Sequence, residues 1–235
     1  MYMNEIAQIR KLSLWIFFIP LLAINLCLII SQNYAVLENT FLSVDMLGRS
    51  GFSIPYLDGS LSISRASRTF PQYLIFKPAM IFTAVILYHY WSNNNNLINK
   101  FNSSNINYKF KTFGILSAAF LAIHSIFLGI KFDIQIYKLM RRVVLLLFII
   151  FELIAQGMLV YHFFKLREKI SDLINKKILV LKASLVLILT VVAILSLPIL
   201  IDKGNTHFKH ALEWNYFVGV ILFYFFTRFF WRRTT

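Results

Sequence analysis

Six long apolar runs alternate with polar stretches along this chain of 235 residues. The runs cover positions 12–30, 73–91, 113–130, 143–164, 178–201 and 211–231. A helix rises about 1.5 Å per residue, so about twenty residues cross the roughly 30 Å hydrocarbon core of a bilayer. The runs lack the alternation of barrel strands, and hydrocarbon offers no partners to backbone amides. The pattern therefore predicts an all-α, polytopic transmembrane bundle of six helices in a single domain, 1–235, with an extramembrane loop at 31–72.

The composition agrees with this class and narrows the binding partners. The chain is 58% hydrophobic, and its net charge of +14 is spread over short connections on both faces. Such a distribution favours anionic lipid headgroups and argues against nucleic acid. The sequence contains no HExxH motif, no phosphate-binding glycine loop and no GxSxG elbow. We therefore expect membrane lipids as partners, protein partners through the loops as a further option, and neither a metal nor a cofactor.

Basic residues predict the orientation of the bundle. With an even number of spans both termini share one side, and more lysines and arginines flank the spans on that side. The positive-inside rule then predicts cytoplasmic termini and a non-cytoplasmic loop at 31–72. The Asn-rich stretch 91–98 and the cluster 102–107 predict a polar, flexible connector between the second and third spans.

Polar residues inside the spans are costly, so they are candidates for function. Glu152 lies near the middle of the fourth span, Gln156 follows it one turn later, and His124 is central in the third span. A contact between Glu152 and His124 would suit a proton relay or a general base. The alternative is a buried hydrogen-bonded pair that locks helix packing.

The third span also carries small residues at steps of three and four. They are Gly114, Ala118, Ala122, Ser125 and Gly129. Small residues at this spacing allow two helices to approach closely. The stripe therefore predicts tight packing against a neighbouring helix.

The loop 31–72 contains candidates for headgroup recognition. Arg49, Arg65 and Arg68 could donate paired hydrogen bonds to a phosphate, with Ser64 adding a hydroxyl. The alternative is a solvated loop whose serines and glycines make turns. Glu213 begins the last span on the same side, where it is expected either to cap its own helix or to meet Arg65 or Arg68.

Two patterns carry a resemblance to a known family. They are Ile63-Ser64 followed by Pro71 and Ile75-Phe76, and Glu213-Trp214 followed by Phe223-Tyr224 and Thr227. Together they resemble the FRAG/DRAM/SFK family, which includes proteins that remodel lipid after glycosylphosphatidylinositol attachment and the N-terminal part of a fungal cell-wall biogenesis protein. The resemblance implies six spans and a long non-cytoplasmic first loop. Where family members often have an acid, a glycine and a glutamate, this chain has Arg65, Ser67 and Gln72.

The sequence thus predicts a protein that binds or remodels membrane lipid and recognises a headgroup through the first loop. Remodelling would mean acyl exchange or headgroup transfer, with Glu152, Glu213 and His124 as candidate catalytic residues. A non-enzymatic scaffold or trafficking factor is the first alternative. The second is a small proton-coupled transporter that uses Glu152 and His124, although the sequence contains no visible internal repeat.

Overall fold

The computed structural model describes residues 2–33, 40, 52–130, 135–202 and 204–232. Within these ranges all six apolar runs form helices, and two short helices precede the second run. The helices are α1 (Met3–Gln32), α2 (Pro55–Asp58), α3 (Ile63–Ser67), α4 (Gln72–Asn102), α5 (Lys109–Phe127), α6 (Gln135–Leu166), α7 (Lys176–Ile201) and α8 (Thr206–Phe230). The expectation of an all-helical bundle is confirmed for this part of the chain.

Membrane-spanning character is clearest in five of the long helices. Among the described residues, α1, α4, α5, α6 and α7 are long and apolar enough to cross a membrane. The chain therefore has the build of a multi-pass integral membrane protein. Helix α8 has 25 residues but is not one of these five. Its polar stretch from Glu213 to Tyr216 interrupts the apolar surface.

The six long helices form a closed ring in which chain neighbours pack together. Contacts join α1 to α4, α4 to α5, α5 to α6, α6 to α7 and α7 to α8, and α8 returns to α1. At the end where α1 begins and α8 ends, called the terminal end, Lys100 pairs with Glu5. At the opposite end, called the loop end, Lys77 Nζ donates to the Ile126 carbonyl at 3.2 Å. Successive long helices therefore run in opposite directions.

The Asn-rich stretch is helical, so the predicted flexible connector at 91–98 is wrong. Helix α4 continues to Asn102, and Asn94, Asn95 and Asn99 are buried. The Asn94 amide donates to the Tyr90 carbonyl at 2.8 Å. Asn95 accepts from the backbone N–H of Tyr108 at 2.9 Å. Asn95 thus pairs an N–H at the start of α5, and these buried contacts offset the low helix propensity of asparagine.

The described part of the first loop packs onto the bundle as a cap. Helices α2 and α3 lie against α8, where the Trp214 indole donates to the Leu61 carbonyl at 2.7 Å. Gly59 adopts a φ of +60°, and a Cβ there would lie 1.7 Å from the His207 carbonyl oxygen. Only glycine fits this approach. The segment 55–68 is therefore a built part of the fold and not a freely solvated loop.

The predicted close approach of the third span is confirmed at one glycine. A Cβ on Gly114 would lie 2.3 Å from the Trp91 ring, so α5 meets α4 face to face at this point. Gly129 lies beyond the end of α5 with a φ of +84°. The stripe therefore ends before Gly129, and that member of the prediction is wrong.

Candidate functional site

Three arginines converge at the loop end of the bundle. Arg65 lies on α3, Arg68 follows it, and Arg141 lies near the start of α6. The Arg141 guanidinium donates to the Ser64 hydroxyl at 3.5 Å. Burial, together with the positive charges of Arg65 and Arg141, lowers the pKa of Arg68 below its ordinary value. Like charges from two separate helices therefore share one partly buried place, which we call the arginine cluster (Arg65, Arg68 and Arg141).

No carboxylate neutralises this cluster within the described part of the chain. Arg65, Arg68 and Arg141 form no ion pair with a described residue. The buried Nε of Arg141 also lacks a hydrogen-bond partner among these residues. A buried donor without an acceptor lowers the stability of the fold, since it loses its hydrogen bond to water and gains no other. The arrangement is chemically suited to an incoming anion that brings its own acceptor oxygens.

Glu213 lies close to this cluster but faces the backbone. The backbone N–H groups of Ile63 and Ser64, at the start of α3, are the polar groups that act on its carboxylate. It lies well inside α8, which begins at Thr206, so it does not cap its own helix. It makes no ion pair with Arg65 or Arg68 among the described residues. Glu213 therefore lies against the start of α3, the helix that presents Arg65, and does not itself supply the cluster with an ionic partner.

Three of the four predicted headgroup residues come together, and the fourth falls outside the described residues. Arg65 and Arg68 lie in the cluster, with Ser64 bonded to Arg141. Arg49 is outside the described ranges, so its part in headgroup binding stays a prediction. Arg141 is not among the residues predicted from the sequence. Its partners are on α3, more than sixty positions earlier, and no sequence pattern links the two.

Glu152 lies at the centre of a second polar group deep in the bundle. Its carboxylate accepts hydrogen bonds from Ser117 on α5 and Tyr224 on α8. Gln156 donates to the same carboxylate at 3.0 Å and to the Val220 carbonyl at 3.2 Å. The Glu152 side chain is 1% exposed. Three helices are thus tied together through one acidic group.

A buried lysine extends this interior network, which we define as Ser117, Glu152, Gln156, Tyr90, Tyr224, Thr227 and Lys182. The Lys182 ammonium on α7 donates to the Thr227 hydroxyl at 2.8 Å and lies 3.9 Å from the centre of the Phe223 ring. The Tyr90 and Thr227 hydroxyls are 3.1 Å apart. Lys182 makes no ion pair with a described residue and is 1% exposed. Its charge is met by a hydroxyl and an aromatic face, which attracts cations.

His124 does not join this network. It lies on α5 beside Arg141, which is the charged group that acts on it. Among the described residues, no hydrogen bond connects His124 with Glu152, whose partners are Ser117, Tyr224 and Gln156. The geometry therefore does not bring the two members of the hypothetical relay together. The catalytic roles of Glu152, Glu213 and His124 stay predictions.

Sequence reasoning missed several members of the interior network. Lys182 is not among the sequence-based candidates, yet it is buried more than one turn inside α7. A charged residue inside an apolar run was the signal that could have singled it out. Tyr90 and Ser117 had no such signal, because hydroxyl groups are common in membrane helices.

Comparison with known proteins adds no relative. No family model matches the chain, and neither a curated protein nor a solved structure does. The resemblance to the FRAG/DRAM/SFK family stays a prediction. The arginine cluster and the interior network are therefore the features from which a function can be inferred.

Proposed function

We propose that this chain is a six-span membrane protein that binds an anionic lipid headgroup at its loop end. The observation that carries the proposal is the convergence of Arg65, Arg68 and Arg141 without a carboxylate partner among the described residues. Guanidinium groups donate paired hydrogen bonds to phosphate oxygens. Helix α8 is the sixth span, both termini are cytoplasmic, and the headgroup is bound on the non-cytoplasmic side.

The surroundings of the cluster suit a lipid better than a soluble anion. Leu139 and Val143 lie within one turn of Arg141 along α6 and expose apolar side chains on the other side of the helix. The cluster is therefore at the level where α6 presents an apolar surface to its surroundings, and a phosphate bound there would belong to a lipid whose acyl chains reach that surface. Each hydrogen bond to a charged group contributes about 1.5–3 kcal/mol, so two or three of them give a measurable preference for anionic lipid.

The proposal is binding rather than remodelling of lipid. Glu152 is 1% exposed, and Ser117, Gln156 and Tyr224 already donate to it. Glu213 faces the backbone N–H groups at the start of α3. Both carboxylates thus have structural partners, and a general acid or base needs hydrogen-bond reach to the substrate.

The test is native mass spectrometry of the purified full-length chain in mild detergent. Phosphatidylinositol and phosphatidylcholine are offered together, and the affinity for each lipid is read from the population of bound states. We expect Arg141→Gln to weaken phosphatidylinositol binding by about tenfold or more, since tenfold corresponds to about 1.4 kcal/mol. Arg65→Gln combined with Arg68→Gln should have at least the same effect.

The matched control is Arg142→Gln. Arg142 is the next residue of α6, is exposed, and has the same charge. Arg142→Gln lowers the net charge by the same amount as Arg141→Gln but leaves the arginine cluster intact. Phosphatidylinositol binding should therefore stay within about twofold of wild type. Equal losses in the Arg141 and Arg142 variants would show a nonspecific charge effect and contradict the proposal.

The proposed orientation has its own test. Ser60 at the loop end and Asn105 at the terminal end are both exposed. Ser60→Cys should react with a membrane-impermeant maleimide added to intact cells, and Asn105→Cys should react only after permeabilisation. The native Cys27 is buried in α1 and gives little background. The reverse labelling pattern would overturn the orientation without affecting the lipid-binding result.

A further inference from the structure

The terminal end of the bundle contains a second group of arginines around a pocket of about 490 Å³. The pocket lies between the start of α1, the connection before α7 and the end of α8. It is lined by Arg10, Asn175, Arg228, Phe229, Trp231 and Arg232. No acidic residue is in this lining, and the volume is within the range of about 300–1,000 Å³ that small-ligand sites usually have.

The walls of this pocket are held by backbone pairing. Trp231 forms an antiparallel bridge with Ile174. The Asn175 N–H donates to the Phe230 carbonyl at 2.8 Å, and the Arg232 N–H donates to the Leu173 carbonyl at 2.9 Å. The end of α8 is thus fastened to the connection between α6 and α7. Arg232 is presented from a fixed backbone, which lowers the ordering cost of binding.

The polar groups of the pocket call for an acceptor. Trp231 is 1% exposed, and its indole N–H has no hydrogen-bond partner among the described residues. Arg228 and Arg232 form no ion pair with a described carboxylate. Of the acids described at this end, Glu5 pairs with Lys100, Glu168 pairs with Arg167, and the exposed Asp172 accepts from the Ser171 hydroxyl at 3.3 Å. A phosphate would supply oxygens to both guanidinium groups and would neutralise their charge.

We propose that this pocket binds the phosphate of an anionic phospholipid in the leaflet at the terminal end. The lipid source, rather than a free phosphate, follows from Phe229. This ring is 52% exposed next to Arg228, at the edge where an acyl chain would leave the pocket. The site lies at the opposite end of the bundle from the arginine cluster, so the proposal does not depend on binding there.

The experiment uses the purified full-length chain and native mass spectrometry, with phosphatidylserine and phosphatidylcholine as competing probes. Arg228→Gln combined with Arg232→Gln should weaken phosphatidylserine binding by about tenfold or more, a loss of about 1.4 kcal/mol. The matched control is Lys109→Gln combined with Lys177→Gln, which removes two exposed charges at the same end. That control should stay within about twofold of wild type.

Each remaining arm gives a decisive result. Arg232→Gln alone keeps the backbone bond to Leu173, so it folds normally and should still weaken binding about threefold or more. Unchanged binding in this variant, or an equal loss in the lysine control, would overturn the proposal. Displacement of phosphatidylserine by millimolar inorganic phosphate would show a site for soluble phosphate and overturn the lipid assignment. The Arg65 and Arg68 double variant should keep this terminal-end binding, which separates failure here from failure at the loop end.

Discussion

Removal of one hydroxyl group from α8 tests whether the interior network stabilises the bundle. Tyr224 donates to the Glu152 carboxylate, and its side chain is 1% exposed. Tyr224→Phe keeps the ring and its contact with Tyr90, whose centroid lies 4.9 Å away. The substitution therefore removes a hydrogen bond while leaving the packing unchanged. The buried carboxylate loses one of its three donors.

The size of the effect follows from the nature of this bond. Side-chain hydrogen bonds inside membrane proteins contribute about 0.6 kcal/mol on average and about 1.7 kcal/mol at most. Bonds to charged groups in soluble proteins contribute about 1.5–3 kcal/mol. We therefore expect Tyr224→Phe to lower the free energy of unfolding by about 1–2 kcal/mol. At about 2–4 °C per kcal/mol for a chain of this size, Tm should fall by about 2–8 °C.

The assay is thermal unfolding of the purified chain in one detergent, with Tyr216→Phe as the matched control. Tyr216 lies on the same helix, and its hydroxyl is buried without a hydrogen-bond partner among the described residues. Removal of an unpaired buried hydroxyl should leave Tm unchanged or raise it, since no bond is lost. Equal shifts in the Tyr224 and Tyr216 variants would refute the reasoning.

A double-mutant cycle connects the effect to its acceptor. Glu152→Met keeps a long side chain of similar volume but removes the carboxylate. In that background Tyr224→Phe should cost about 1 kcal/mol less than in wild type, because the acceptor is already absent. An unchanged cost would mean that Tyr224 acts through its ring contacts and not through Glu152.

Two further predictions concern packing and buried charge in the same assay. Gly114→Ala should lower the free energy of unfolding by about 1–3 kcal/mol, because its Cβ would lie 2.3 Å from the Trp91 ring. Gly157→Ala is the control, since its Cβ would make an ordinary contact at 3.6 Å, and it should be neutral or stabilising. Lys182→Met should leave stability unchanged or raise it by about 1–4 kcal/mol, because an apolar chain of similar size replaces a buried amine that has no ionic partner among the described residues. A clear fall in Tm would mean that the bond from Lys182 to Thr227 outweighs the cost of burying the charge.

The helices could be read from the sequence, because run length and hydropathy are local properties. Each apolar run forms a helix. The residues at which the helices begin and end lie in the polar flanks and were harder to predict. Helix α1 begins at Met3, well before the apolar run at 12–30. Helix α4 continues through asparagines whose side chains find backbone partners seven to thirteen positions later. Propensity alone cannot anticipate those bonds.

The sites were harder to predict, because they depend on which helices become neighbours. The cost of burial singled out Glu152 correctly as a central polar residue, but it did not identify Tyr224 as its partner. That contact requires the Tyr224 side chain to reach from α8 across the interior of the ring to α6. Arg141 was hidden for the same reason, since its place in the arginine cluster depends on the docking of α3 at the loop end. The cost of burying a polar side chain in an apolar run can thus identify a single residue from the sequence. It cannot identify the residue on another helix that pairs with it.

The closed ring has a consequence for biosynthesis. Helix α8 lies between α7 and α1. Helix α1 is synthesised first, but it gains its second neighbour only when α8 has been synthesised. Until α8 emerges from the ribosome, Glu152 lacks its tyrosine donor and Lys182 lacks its threonine acceptor. Glu152 still has Ser117 and Gln156 as donors, but Lys182 is left without its hydroxyl partner inside an apolar helix, at a cost of about 3 kcal/mol. Ribosome stalling or truncation before α8 should therefore leave a nascent chain that membrane quality control recognises and degrades.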